Sequence, residues 1–395
     1  MAATEAGGAK PLGLLTAAAL ALPGLGLAPE AAAEEAPERA VVEFKLLSYA
    51  DSQDVRTRYP YYDGSEPGSF NRIKVHSPAA RVVLPLGRRW SAEAGAVVDE
   101  VSGASPRYYS DVSGASRMED RRTAVDAKVT HHRERSAFAL GAMRSKENDY
   151  LSQAVSAEAR WASEDQNTTL SLGLGGSHDT ITPVRGGVLG VERDTRSSNE
   201  LMLGLTQALS RRDLAQLTLA YSNGRGYFSD PYKQGDRRPR QRNSTTVTLR
   251  WNHFVEGPDA TLRSSVRGYS DSFGIRAQTV ELQWVQPLAE VFKLSPLLRV
   301  YSQSSASFYV DPVTDLDIYP GPGNDAPFST ADQRLAAFGA ITLGLKGEWR
   351  WRDWAFDLKV ERYEQRSNWR VGGKGSVGID PFHARMVQLG VSYAF

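Results

Sequence analysis

From residue 39 onward, apolar and polar side chains alternate with a period of two, in segments of about ten residues. The pattern predicts strands at 42–49, 72–86, 90–99, 123–131, 137–143, 154–161, 169–175 and 200–209. It continues through 214–221, 245–254, 261–269, 277–285, 292–301, 335–349, 354–363 and 386–395. Successive strand residues point to opposite faces, so each segment has one apolar face and one polar face. In the last segment Val387, Leu389, Val391, Tyr393 and Phe395 share one face, and Gln388, Gly390, Ser392 and Ala394 share the other.

The connections divide into two kinds. Those at 87–89, 133–136, 163–166, 210–213, 255–259, 287–290 and 350–353 are short, whereas 50–70, 101–118, 176–196, 222–243, 302–334 and 364–382 are long and polar. Short turns at one end and long loops at the other predict an all-β fold, a transmembrane antiparallel up-and-down β-barrel of about sixteen strands, with periplasmic turns and extracellular loops. A closed barrel leaves no strand edge exposed to lipid, so the last strand is expected to pair with the first.

Aromatic residues follow the same two ends. Trp90, Trp161, Trp251, Trp284, Trp349, Trp351 and Trp354 lie at or near the short turns, and Tyr49, Tyr150, Tyr221, Tyr269, Tyr301 and Tyr363 lie where strands meet the long loops. The expectation is two lipid-facing girdles, one at each headgroup region.

Parity assigns the charges to the lumen. With Val42, Phe44 and Leu46 outward, Glu43 and Lys45 face in; with Trp354, Phe356, Leu358 and Val360 outward, Asp357, Lys359 and Glu361 face in. The same rule places Glu93, Asp99, Asp126, Lys128, Glu158, Arg160, Arg250, Arg263, Arg267, Glu281 and Arg299 inside. A charge at mid-depth on the lipid face costs roughly 2 to 4 kcal/mol for Arg or Lys, so the assignment is strongly constrained. Acids and bases are balanced in this set, which favours a salt-bridged wall over a selectivity device. The local run Arg250, Arg263, Arg267 and Arg299 would form a basic stripe favouring anionic solutes.

Composition bounds the chemistry. The 395 residues are 41% hydrophobic and 24% charged, too polar for a bundle of membrane helices, and the formal net charge of +1 gives no field for nucleic acid. Without cysteine there is no disulfide and no thiolate site. Lys10, the apolar stretch 11–29 and the small cluster Ala31, Ala32 and Ala33 read as a signal peptide over 1–33, leaving a single barrel domain over 34–395. A membrane anchor is the alternative, disfavoured by the recurring Gly and Pro.

No catalytic motif, cofactor site or metal site is recognisable. His131 and His132 are neighbours whose side chains diverge. The long loop 302–334 carries Asp311, Asp315, Asp317 and the turn-prone YPGPGN at 319–324, and is the candidate constriction; its carboxylates lack EF-hand spacing. Sixteen strands enclose an aqueous channel, left open, narrowed by a loop, or filled by a partner.

Specific strings carry a resemblance. VVDEVSGASPRYYS, GRGYFSDPYK, RPRQRNSTTVTLRWNH, EGPDATLR, YSDSFGIRAQTVELQWVQPL, YSQSSASFYVDP, ADQRLAAFGAITLGLK and DLKVERYEQRSNWR together resemble a proteobacterial outer-membrane barrel family known only as a domain of unknown function. The resemblance implies location in the outer membrane of a Gram-negative bacterium and contact with outer-membrane lipid. Genes of that family commonly lie beside those for a periplasmic flavin transferase, a thioredoxin-like protein and a small lipoprotein. Strand number and a wet lumen point to a channel or conduit, and the resemblance implies a periplasmic redox protein or lipoprotein as its partner, in envelope redox or electron transfer. A surface barrel whose loops bind a ligand is the alternative. The ending at Tyr393 and Phe395 is similar to the aromatic signal that the barrel-assembly machinery reads, which makes those two residues the expected assembly signal.

Overall fold

The computed structural model describes residues 36–55, 68–104, 117–187, 189–233, 235–311 and 326–395. The expected signal peptide and the acidic stretch with Asp315, Asp317 and YPGPGN lie outside the described residues.

Sixteen strands form one closed antiparallel barrel in which every strand pairs with its sequence neighbours. They are β1 (Val41–Val55), β2 (Gly68–Pro85), β3 (Trp90–Ala104), β4 (Arg117–Arg133), β5 (Ser136–Lys146), β6 (Tyr150–Ala162), β7 (Thr168–Ile181) and β8 (Asp194–Ala208). The second half comprises β9 (Asp213–Gly226), β10 (Gln241–Val255), β11 (Ala260–Asp271), β12 (Arg276–Ala289), β13 (Phe292–Gln303), β14 (Phe338–Trp351), β15 (Trp354–Arg366) and β16 (Phe382–Ala394). All sixteen predicted segments are strands. Most run longer than predicted, up to 18 residues in β2. A bilayer needs only about 9 to 11 residues per strand, so the polar outer ends continue the ladder beyond the alternating stretch.

Closure occurs where β16 meets β1, from Val41 opposite Ala394 to Gln53 opposite Phe382. Ala40 and Phe395 exchange backbone hydrogen bonds of 3.0 and 2.9 Å just below that seam. Arg39 clamps it, donating to Asp353 Oδ1 at 2.7 Å and to the Ala394 carbonyl at 2.5 Å.

The outer surface carries the exposed apolar residues, among them Phe44, Leu46, Leu140, Leu249, Val266, Leu343, Leu358, Val360 and Leu389. At its periplasmic margin Trp349 stacks on Phe356, and Trp354 packs against Tyr393, which stacks on Phe395. This is the expected tryptophan girdle.

The outer girdle differs from expectation. Tyr49, Tyr150, Tyr269, Tyr301 and Tyr363 share parity with inward residues and point into the barrel, and only Tyr221 of the six faces out. Their hydroxyls find partners there: Tyr49 donates to Asp51, Tyr269 to Asp271, Tyr301 to Gln303 and Tyr363 to Gln365. In each case the acceptor is two residues on, hence on the same face. The outer connections at 147–149 and 272–275 are tight turns, and the other six are the long ones read from the sequence.

Candidate pore and its narrowed mouth

The inward face of the lower barrel is a ladder of paired charges. Arg81 bridges Glu43 at 3.9 Å and contacts Glu93, which Lys128 also reaches at 2.6 Å, linking β1 through β4. Arg122 holds Asp99 at 2.5 Å, and Arg160 lies 3.3 Å from Glu158. Across the seam, on β14, Lys346 pairs with Glu348 at 2.9 Å and lies 3.9 Å from Asp357 on β15. Gly390 stands across from Asp357, and a Cβ there would overlap the carboxylate. The glycine leaves the space that Asp357 occupies.

The candidate lumen residues are all on the inward parity. Lys359 and Glu361 pair at 3.0 Å, and Glu281 lies opposite Arg299 with a 2.6 Å bridge. Arg250 reaches Gln216 at 3.3 Å. The register sets Arg250 opposite Ser265, which lies between Arg263 and Arg267 on β11. Those three arginines therefore form a local group, and Arg263 and Arg267 have no ion pair or side-chain hydrogen bond among the described residues. The fourth, Arg299, is neutralised by Glu281. His131 and His132 diverge: His131 packs on Trp90 outside, while His132 bonds Ser91 Oγ at 2.8 Å inside.

The outer end of the barrel is occupied by its own connections. The stretch between β9 and β10 pairs with the end of the one between β13 and β14 through reciprocal 2.8 Å backbone bonds of Arg237 and Ser329. Between them lies a buried cluster of three carboxylates and three cations. Asp332 accepts from Lys233 at 3.0 Å, from Arg238 at 2.8 Å and from Arg334 at 2.9 Å. Asp236 takes the Arg238 guanidinium with two bonds, 2.8 and 2.7 Å, and Asp230 lies 3.3 Å from Lys233. Thr330 donates to Asp236 at 2.7 Å. The set is neutral, which is the condition for burying five of these charges with Arg334 at their partly exposed edge.

Electrostatics follow from that geometry. Burial pushes the Asp332 carboxyl up, but the neighbouring Arg334, Lys233 and Arg238 outweigh it and hold the group well below its ordinary 3.8. Burial, with Asp149 accepting its proton at 2.6 Å, pushes the Tyr232 hydroxyl up.

Contacts from this cluster reach several walls. Tyr232 ties it to Asp149 at the β5–β6 turn and accepts from the Val184 N–H at 2.9 Å in the β7–β8 connection. Gln333, in a short 3-10 turn at Gln333–Leu335, meets Gln53 of β1 at 3.1 Å. Asp311, from the candidate constriction, accepts the Gly378 N–H at 2.9 Å. Phe273, Ile275, Ala306 and Leu335 form an apolar floor, with Phe228 and Phe308 edge-on to Phe273. A second apolar group, Tyr49, Ile73, Val75, Ala340, Tyr363, Phe382 and Ala384, lines the inner wall near the β1–β16 seam. The sequence pointed to 302–334 as the candidate constriction but not to the β9–β10 connection that pairs with its end. Its one signal was the run of Asp230, Lys233, Asp236 and Arg238, charges without strand periodicity.

A family model described as "Protein of unknown function (DUF3570)" matches residues 12–117 and 111–393. The chain belongs to the DUF3570 family. No curated protein matches it in sequence. Solved structures similar to the DUF3570 barrel include a bacterial polysaccharide outer membrane secretin, 9% identical with a TM-score of 0.49, over 89% of this chain and 98% of the other. A FadL homologue from Pseudomonas aeruginosa is 10% identical with a TM-score of 0.44, over 90% of each chain. The TodX monoaromatic hydrocarbon channel is 11% identical with a TM-score of 0.44, over 91% of this chain and 90% of that one. Among the described DUF3570 residues no group of three His, Asp or Glu side chains is placed to hold a metal.

Proposed function

We propose that the chain is an outer-membrane channel for small polar solutes, narrowed at its outer end by its own connections. The observation that carries this reading is the neutral buried cluster around Asp332, which fixes two connections into the mouth above a charged lumen. A conduit sheathing a folded redox partner needs a free bore, and the seated connections take up that space. A ligand-binding surface barrel needs polar loop groups directed outward, whereas many described ones bond to one another. The paired wall charges keep the lumen wet without a strong single-sign field. Arg263 and Arg267 bias it towards anions.

Swelling of proteoliposomes in isosmotic solute tests the proposal. Small sugars and organic acids are expected to enter and large oligosaccharides to be excluded. A correctly inserted barrel that admits none of them overturns it.

A further inference from the structure

The outward face at the top of the seam holds a charge pattern that the channel reading does not use. Arg362 on β15 lies directly opposite Arg385 on β16, and Arg385 is level with Ala50 on β1, which is level with Lys74 on β2. All three cations are exposed, and none has an ion pair or side-chain hydrogen bond among the described residues. Like charges directly opposed on a sheet destabilise it unless a counter-charge is supplied. The facing arginines are about 5 Å apart at Cα, and Lys74 is about 10 Å beyond Arg385. The carboxylates one step further out are already engaged: Asp54 with His383 at 2.9 Å, and Glu364 with Arg366 at 2.5 Å.

Below the two arginines the wall turns apolar at once, whereas His76 follows Lys74 on β2. Val360 and Val387 are the next outward residues on β15 and β16. From Val360 an open groove of about 640 Å³ runs down the outer surface, lined by Leu345, Leu358, Leu389, Val391 and Phe44. A row of unpaired cations at the upper edge of the apolar band, above an apolar groove, fits an amphiphile with an anionic head and hydrocarbon tails.

We propose that Arg362, Arg385 and Lys74 hold the phosphates of an outer-leaflet phosphorylated glycolipid, with its acyl chains in the groove beneath. Arginine suits this role because its planar fork takes phosphate oxygens in pairs. The bound lipid would neutralise the facing arginines and brace the strands that close the barrel. The inference rests on the membrane orientation used above, but not on the pore being open.

Native mass spectrometry of the detergent-purified full chain tests it, with bisphosphorylated lipid A and its dephosphorylated form as probes. The native protein is expected to retain the phosphorylated form in preference, and Arg362→Gln/Arg385→Gln to lose at least about tenfold in affinity. Arg276→Gln, an isolated outward cation on β12, is expected to bind as the native chain does. Resistance of each variant to SDS without boiling establishes its fold. Equal binding of both lipids, or undiminished binding by the double variant, overturns the proposal. If the native barrel conducts ions yet shows no phosphate preference, this inference alone fails.

Discussion

Lys233 Nζ lies 3.0 Å from Asp332 Oδ2, joining residues 99 positions apart across the mouth of the barrel. The pair is buried and shares its carboxylate with Arg238 and Arg334. Removing one partner from such a set leaves an uncompensated buried charge, which costs about 3 to 5 kcal/mol, whereas the intact set is close to neutral in net stability. The cluster therefore acts on the conformation of the mouth more than on the stability of the wall. The wall has its own closed ladder.

The inward and outward assignment is tested by two adjacent positions. Leu389 faces lipid at mid-depth and Gln388 faces the lumen across from Lys359. Leu389→Arg is expected to destabilise the barrel by about 2 to 4 kcal/mol in vesicle unfolding experiments. Gln388→Arg should cost no more than about 1 kcal/mol, since the charge stays in water and meets only one like neighbour. Equal effects would invert or abolish the assignment.

Arg263 and Arg267 are lumen cations with no ion pair or side-chain hydrogen bond among the described residues, beside Arg250. Arg263→Gln/Arg267→Gln is expected to lower the anion-to-cation permeability ratio by about twofold or more, read from the reversal potential in a salt gradient. Arg299 is bridged to Glu281 and should contribute little anion preference of its own. An unchanged reversal potential in the double variant would remove the arginines from any part in selectivity.

Acid should loosen the mouth, but only strong acid. The Asp332 carboxyl is held well below 3.8 by Arg334, Lys233 and Arg238, against the opposing effect of burial. A depressed folded value means that its stabilisation is complete above the ordinary carboxylate range and is lost as pH falls through the folded value. Amide exchange of residues 327–335, corrected for its intrinsic pH dependence, should stay protected from about pH 7 to pH 4. Protection should fall on further acidification. Loss of protection already between pH 7 and 5 would contradict the cluster as the holding element.

Much of the wall was legible in the sequence because its physics is periodic. Lipid on one side and water on the other impose alternation, and segments such as 354–363 and 386–395 record it directly. The inward tyrosines were legible too, by the same rule: Tyr49 shares parity with Glu43 and Lys45, and Tyr363 with Lys359 and Glu361. Their position at strand ends suggested a girdle, but parity decides the face. The mouth depends on contacts between non-periodic segments. Nothing local in Asp332 indicates that Lys233 and Arg238 will meet it. Arg362 and Arg385 became a pair only once the β15–β16 register was known.

Single-channel conductance in planar bilayers, comparing the native chain with Asp332→Ala, tests the central claim most directly. The native barrel is predicted to give small, stepwise conductance, and the variant larger steps from a barrel that still resists SDS without boiling. Identical conductance in the two, or silence from both when correctly inserted, would contradict a channel narrowed by its own outer connections.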